Sequence, residues 1–144
     1  MTEEKTDKSR TARCACQNFT VELAGDPQLV GACNCFECQR RTGSAFGVGA
    51  FFEKSQLIKT SGDKSTYNRQ SESGRALSLH FCPNCGTTLY WDLEMLPGKI
   101  GVAVGCFSDP NFPAPTLAVW CQSAHDWVEF PDTIKTFAQS AVKR

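Results

Sequence analysis

Phe81-Cys82-Pro83-Asn84-Cys85-Gly86-Thr87 is the stretch on which the fold turns. Two thiolates separated by two residues fit a tight knuckle. Pro83 pre-sets the backbone after the first of them, and Gly86 accepts the positive φ that such turns often need. A redox pair of this spacing usually opens a helix in a βαβ setting, and no such setting surrounds it. The knuckle reads as half of a zinc site, and structural zinc takes four ligands.

Nine of the 144 residues are cysteine, and seven of the nine lie in three tight groups. In Cys14-Ala15-Cys16 the two thiols are i and i+2, so a strand presents them side by side on one face. Pairing Cys14 and Cys16 with Cys82 and Cys85 ties the first strand to a mid-chain hairpin, and a metal there constrains a long loop. Spacing favours this partition but leaves open a pairing of Cys82 and Cys85 with Cys35 and Cys38. Under the favoured partition Cys33, Cys35 and Cys38 remain. Three ligands with no obvious fourth make an open zinc site that an exogenous ligand completes. The competing reading closes that site with Cys106, Cys121, His80 or His125. His80 falls on the polar phase of Leu77-Leu79-Phe81 and is expected to be solvated. Cys106 and Cys121 stand alone and read as ordinary buried thiols. Next to the triplet, Arg40, Arg41, Thr42, Gly43 and Ser44 look like an anion-receiving loop, since guanidinium forks match carboxylates and backbone N–H groups add to them.

Charge and hydropathy narrow the class. Lys plus Arg is 15 and Asp plus Glu is 15, so there is no basic excess to release counterions from nucleic acid or to bind an anionic membrane. No apolar run approaches the ~20 residues that span a bilayer. The charged stretch Met1–Arg10 lacks the apolar core of a secretory signal, so a cytoplasmic protein is expected. In a reducing compartment clustered cysteines are metal ligands or catalytic thiols rather than disulfides.

The remainder predicts a mainly β domain of antiparallel sheets stapled by zinc, with at most short helical turns. Residues 1–12 read as a disordered or frayed tail and 13–140 as a single domain. Phe19, Val21 and Leu23 alternate with polar residues, as do Leu77, Leu79 and Phe81, and Ile100, Val102 and Val104; Leu117–Trp120 is another short apolar run. The most helix-like piece is Asp132–Ala138. Phe46, Phe51 and Phe52 are the aromatics expected to line a pocket, while Trp91, Trp120 and Trp127, residues more often in a core than in a substrate wall, are not assigned.

Cys33-x-Cys35-x-x-Cys38-Gln-Arg-Arg-Thr-Gly-Ser-Ala-Phe, preceded by Cys14-x-Cys16 and followed by Phe81-Cys82-x-x-Cys85-Gly86-Thr87, resembles the glutathione-dependent formaldehyde-activating enzyme family, whose domain also occurs in centromere protein V. The resemblance covers roughly residues 12–130. It implies a β-tent with two zinc ions per chain, a structural one on Cys14, Cys16, Cys82 and Cys85 and a catalytic one on Cys33, Cys35 and Cys38. It further implies a carbon–sulfur lyase that joins formaldehyde, or a related small aldehyde, to glutathione as S-(hydroxymethyl)glutathione. A zinc bearing three thiolates carries formal charge −1, which suits it to holding a nucleophilic thiolate better than to polarising a carbonyl. The glutathione sulfur is then expected at the open position, with the arginines steadying its carboxylates. The chain departs from the family in three places: Asn34 stands where His is usual, Gln17 where Gly is common, and Cys106 where Thr is frequent. Two other functions fit the same motifs, a glutathione- or thiol-binding carrier without turnover and a zinc-stapled protein-interaction module.

Overall fold

The computed structural model describes residues 8–141. Two sheets make the fold. The smaller has the order β1 (Ser9–Arg13), β2 (Thr20–Ala24), β5 (Leu57–Ser61), all antiparallel. The larger contains β3 (Leu29–Cys33), β4 (Gly47–Glu53), β6 (Ser65–Gln70), β7 (Ala76–Phe81), β8 (Thr88–Leu93), β9 (Lys99–Ala103), β10 (Leu117–Val119) and β11 (Lys135–Thr136). Its strand order is β11-β10-β3-β4-β9-β8-β7-β6. Pairing is antiparallel except at one end, where β10 runs parallel to both β3 and β11. The mainly β architecture expected from the cysteine spacing and the alternating runs is the one the chain adopts. No helix among the described residues is long and apolar enough to cross a membrane.

Alternation along the strands divides the large sheet into a core face and a cleft face. Val30 on β3, Ala50 and Phe52 on β4, and Ile100 and Val102 on β9 point one way. They pack with Ala12, Val21 and Leu23 of the small sheet and with Phe19 just before β2, so the core lies between the sheets. The intervening residues, Gly31, Cys33, Gly47, Gly49, Phe51 and Trp91 among them, line a cleft on the other side. Glycine is required on this face by Trp91. A Cβ at Gly101 would lie 2.5 Å from Trp91 Cε2 and 2.9 Å from Phe51 Cε1, and one at Gly49 would lie 2.8 Å from Trp91 Cζ2. Gly101→Ala should therefore cost about 1–3 kcal/mol through overpacking. The check is a lower urea midpoint at unchanged m-value; an unchanged midpoint would mean that Trp91 moves aside freely.

Three expectations need correction. The frayed tail was to run to residue 12, but Ser9–Arg13 is a strand in register with β2. Ala12 is fully buried, and Arg10 pairs with Asp26 at 2.6 Å while its guanidinium lies over Phe112 at 4.9 Å. One inward-facing apolar residue in five leaves no periodicity to read. Residues 1–7 lie outside the described residues. Asp132–Ala138 is not helical: it contains β11, and its backbone bonds go outward, Phe137 N to Ala118 O at 2.9 Å and Cys121 N to Phe137 O at 3.0 Å. His80 is buried, not solvated. Its ring bonds Thr66 Oγ1 at 2.9 Å and Asp92 Oδ2 at 2.8 Å and lies against Tyr90, so polar partners on β6 and β8 satisfy it inside.

Candidate metal centres and the adjoining clefts

Cys14 and Cys16 close the turn after β1, and Cys82 and Cys85 form the knuckle between β7 and β8. The four Sγ atoms lie within 4.8 Å of one another. Cys16 Sγ is 3.6 Å from Cys14 Sγ and 3.6 Å from Cys82 Sγ. A tetrahedral ion with Zn–S bonds of about 2.3 Å sets its sulfurs roughly 3.8 Å apart, so the donors fit zinc in kind, number and spacing. The knuckle is closed by Gly86 N donating to Cys82 O at 2.8 Å, with Gly86 at φ 82° as its position requires. Gln17 sits at φ 68° and donates its N–H to Cys14 O. That left-handed turn explains why glycine is common at this position; here Gln17 occupies the left-handed region with a Cβ. Donors converge on the sulfurs. Phe19 N donates to Cys14 Sγ, and the Thr87 hydroxyl beside Cys85 helps hold its thiol down at about 5.

Cys33 ends β3, and Cys35 and Cys38 lie at the start of α1 (Phe36–Thr42). This helix occupies a segment expected to be a loop. Cys35, extended at φ −65° and ψ 155°, caps it by accepting from Cys38 N at 3.3 Å. Glu37 in the first turn and Arg40 and Arg41 in the last suit the helix dipole, and Gly43 in the left-handed conformation ends it. The three Sγ atoms lie within 4.8 Å of one another, and no fourth Cys, His, Asp or Glu joins them among the described residues. The Cys33 and Cys38 thiols bond the Cys35 sulfur and pull its pKa down to about 2; the bond with Cys35 pushes Cys33 up. Negative charge thus collects on Cys35, where Arg69 favours it further. Three clustered thiols with no fourth ligand among the described residues suit an open thiophilic metal site.

Asn34, between two of the ligands, points away from them. It is fully buried and donates Nδ2 to Val119 O at 3.0 Å, so it fastens the triplet to β10. Gln39 adds a second tie, donating to Asn34 O at 2.8 Å and Ser123 O at 3.0 Å and accepting at Oε1 from His125 Nε2 at 3.2 Å. Cys121 sits 3.8 Å from Asn34 Nδ2 and outside the thiol cluster, and His125 bonds Gln39 rather than a sulfur. Cys106, half-buried, is pushed up to about 11 by that burial.

Two clefts meet beside the triplet. The first, about 160 Å³, has Cys33, Cys35 and Cys38 in its wall and is otherwise mostly apolar. The second, about 410 Å³ and more open, carries Glu37, Arg40, Arg41, Tyr67, Arg69 and Thr88. Arg41, Arg69 and Leu79 line both. Arg41 is flattened on Trp91, its Cζ 4.7 Å from the ring, in space that Gly47 leaves open: a Cβ there would lie 2.6 Å from the guanidinium. Arg69 is nearly buried and lies 4.0 Å from Glu37, whereas Arg40 is exposed and lies 3.5 Å from the same carboxylate.

Residues 9–123 match the family described as glutathione-dependent formaldehyde-activating enzyme, most of the chain. The chain belongs to that family. None of the curated proteins compared with it matches. Among solved structures it is similar to the crystal structure of a Rhodobacter sphaeroides protein, a structural-genomics target, at 21% identity and a TM-score of 0.53 over 70% of this chain and 90% of the other. At that identity the likeness speaks for the fold.

Against this family background, the site residues sort plainly. The seven clustered cysteines come together in the two groups expected from their spacing. Arg40 and Arg41 reach a cleft, but Thr42, Gly43 and Ser44 line neither. The Thr42 hydroxyl donates to Cys38 O at 2.9 Å and accepts from Ser44 N at 3.1 Å, and both bonds finish the helix end. Of the suspected aromatics Phe51 lines the cleft, Phe52 is fully buried in the core, and Phe46 packs on Phe130. Trp91 and Trp120 are cleft walls and Trp127 is exposed. Arg69 was missed. It lies in the polar strand β6, far from any motif, and no local signal ties it to the thiols.

Proposed function

We propose that the chain is a zinc-dependent carbon–sulfur lyase that joins glutathione to formaldehyde or a related aldehyde, with one zinc structural and one at the catalytic triplet. One observation carries the reading: three thiols with no fourth protein ligand among the described residues face a cleft whose shared wall is cationic. When bound at Cys33, Cys35 and Cys38, zinc would keep a further thiol in its nucleophilic, deprotonated form. The rest is positioning by the chain. Arg41 and Arg69 receive the tripeptide carboxylates, Arg40 adds to them from the outer rim, and Glu37 takes the ammonium group. Thr42, Gly43 and Ser44 fix the end of the helix that carries both arginines. The chemistry needs no oxidant: a C–S bond forms, the carbonyl π bond opens, and the thiol proton passes to the carbonyl oxygen. Holding thiol and aldehyde together removes much of the entropic barrier to a bimolecular addition.

The test is magnetisation transfer between formaldehyde, glutathione and their adduct on zinc-replete protein. Acceleration over the protein-free rate supports a lyase. Glutathione binding without acceleration would instead make the protein a carrier. The arginines give a second check. Arg41→Ala should weaken glutathione binding about tenfold or more, the scale of a charge-assisted bond, while both metal equivalents stay. Arg40→Ala, at a side chain 70% exposed, should cost less than about threefold, as screened surface charges do. Calorimetric titration reads both, and equal losses would argue against the inner position of Arg41.

A further inference from the structure

We propose that the carbonyl substrate of this chain carries an apolar group of about six carbons, an aromatic ring or a short alkyl chain, seated in the cleft beside the three thiols. The inference rests on the reading of that site as the place where a thiol adds to a carbonyl. Phe51, Leu77, Leu79, Trp91, Leu93 and Met95 make most of the cleft wall apolar, Arg41, Arg69, Glu72 and Arg75 supply its charged part, and Gly47 and Gly49 make room for Arg41 and Trp91. Its volume is about 160 Å³. An apolar cavity of about 150 Å³ accommodates benzene. Formaldehyde has two heavy atoms and would leave such a space almost empty.

Glutathione does not explain the cavity either. Its two carboxylates, ammonium and amides would lose their hydration against leucine and tryptophan, at a cost of several kcal/mol for each unpaired group. Those charges match the neighbouring cleft, with Arg40, Arg41, Arg69 and Glu37. The thiols lie in the first cleft, whose exposed lining is mostly apolar, and Arg41 and Arg69 stand where it meets the second. A sulfur held at the thiols with its peptide in the charged cleft therefore leaves the apolar space for whatever is bonded to the attacked carbon. The walls are held in place for this. Trp91 is clamped between Arg41 and the glycine-lined strands. Trp120 also lines the cavity and is kept at φ 55° and ψ 38°, a conformation unfavourable for a bulky side chain. In the step itself the thiol sulfur bonds the carbonyl carbon, the π electrons pass to oxygen, and the thiol proton follows them, giving an S-(1-hydroxyalkyl)glutathione.

S-benzylglutathione and S-methylglutathione share every polar group and differ in the group on sulfur, so their affinities, read by tryptophan fluorescence and calorimetry, isolate the cavity. The benzyl compound should bind at least about tenfold more tightly, since one methylene in an apolar pocket is already worth about tenfold or more. Leu77→Asp should bring that ratio near one. Met95→Asp, in the turn between β8 and β9, should act in the same direction. Exchange measured in parallel with benzaldehyde and with formaldehyde separates the two levels of the argument. Equal affinities together with accelerated formaldehyde exchange would overturn the substrate class and leave the lyase reading in place. No acceleration with either aldehyde would overturn the lyase reading and the proposal with it.

Discussion

Cys85→Ser should release one metal equivalent and lower the melting temperature by more than about 10 °C. The size follows from two magnitudes. A four-thiolate zinc contributes about 10–16 kcal/mol to the folding of small zinc peptides, while a whole domain is stable by about 5–15 kcal/mol. Losing even about 4 kcal/mol moves the melting temperature of a domain this size by roughly 10 °C or more. The residue is chosen because Cys85 is exposed, whereas Cys14 and Cys82 are buried. Removing a buried sulfur would confuse metal loss with a packing defect; at Cys85 no cavity forms. An ion on these four thiols would also crosslink distant segments, joining the turn after β1 to the knuckle between β7 and β8, so its loss would free a long loop of unfolded chain. Cys121→Ser, outside both clusters, is the control and should leave metal content at two. Calorimetric melting beside metal analysis decides it. A Cys85→Ser protein that keeps both metals, or melts with the wild type, would remove the structural role from the four-thiol group.

Spacing made the metal groups legible because a knuckle needs two intervening residues; Cys14 and Cys16, expected on a strand, lie instead in the turn after β1, which still brings their sulfurs together. The three alternating runs likewise fall on strands β2, β7 and β9, and the short apolar run Leu117–Trp120 on β10. What stayed illegible was whatever draws its stability from partners distant in sequence. β1 and β6 are polar strands on sheet edges, carried by backbone pairing to a neighbour. α1 spans seven residues, too few for a periodic signal, and depends on a cysteine cap that no propensity scale rewards. β3 and β4 carry glycines that weaken a strand signal, yet those glycines exist to admit Trp91, Arg41 and the cleft. His80 follows the same rule. Its polar phase was read correctly, but Thr66 and Asp92 meet it on neighbouring strands and let it be buried. The site divides in the same way: ligands were found by motif, while Arg69 reaches the thiols through sheet topology alone.

Cys35→Ser should abolish acceleration of the thiol–aldehyde exchange, a loss of at least about a hundredfold, while the protein melts within a few degrees of wild type. The two halves of this result have separate causes. Cys35 is a capping residue as well as a ligand candidate, its Sγ accepting from Cys38 N at 3.3 Å. Serine is among the best N-caps, so the substitution keeps that bond and α1 with it. The Asn34 and Gln39 ties to Val119, Ser123 and the rest of the triplet segment are untouched. What disappears is one of the three thiol donors: a serine hydroxyl does not ionise at neutral pH and is a poor partner for a thiophilic ion. Metal content should fall from two equivalents to one, with the four-thiol site intact. The paired outcome discriminates among functions. A carrier shows no acceleration even in the wild type. An interaction module would keep its partner binding in the variant, since the structural ion alone holds its surface. Exchange that continues undiminished in a Cys35→Ser protein holding one metal would take the chemistry away from the triplet. Loss of exchange with the fold preserved would put it there, because no other group in the cleft changes.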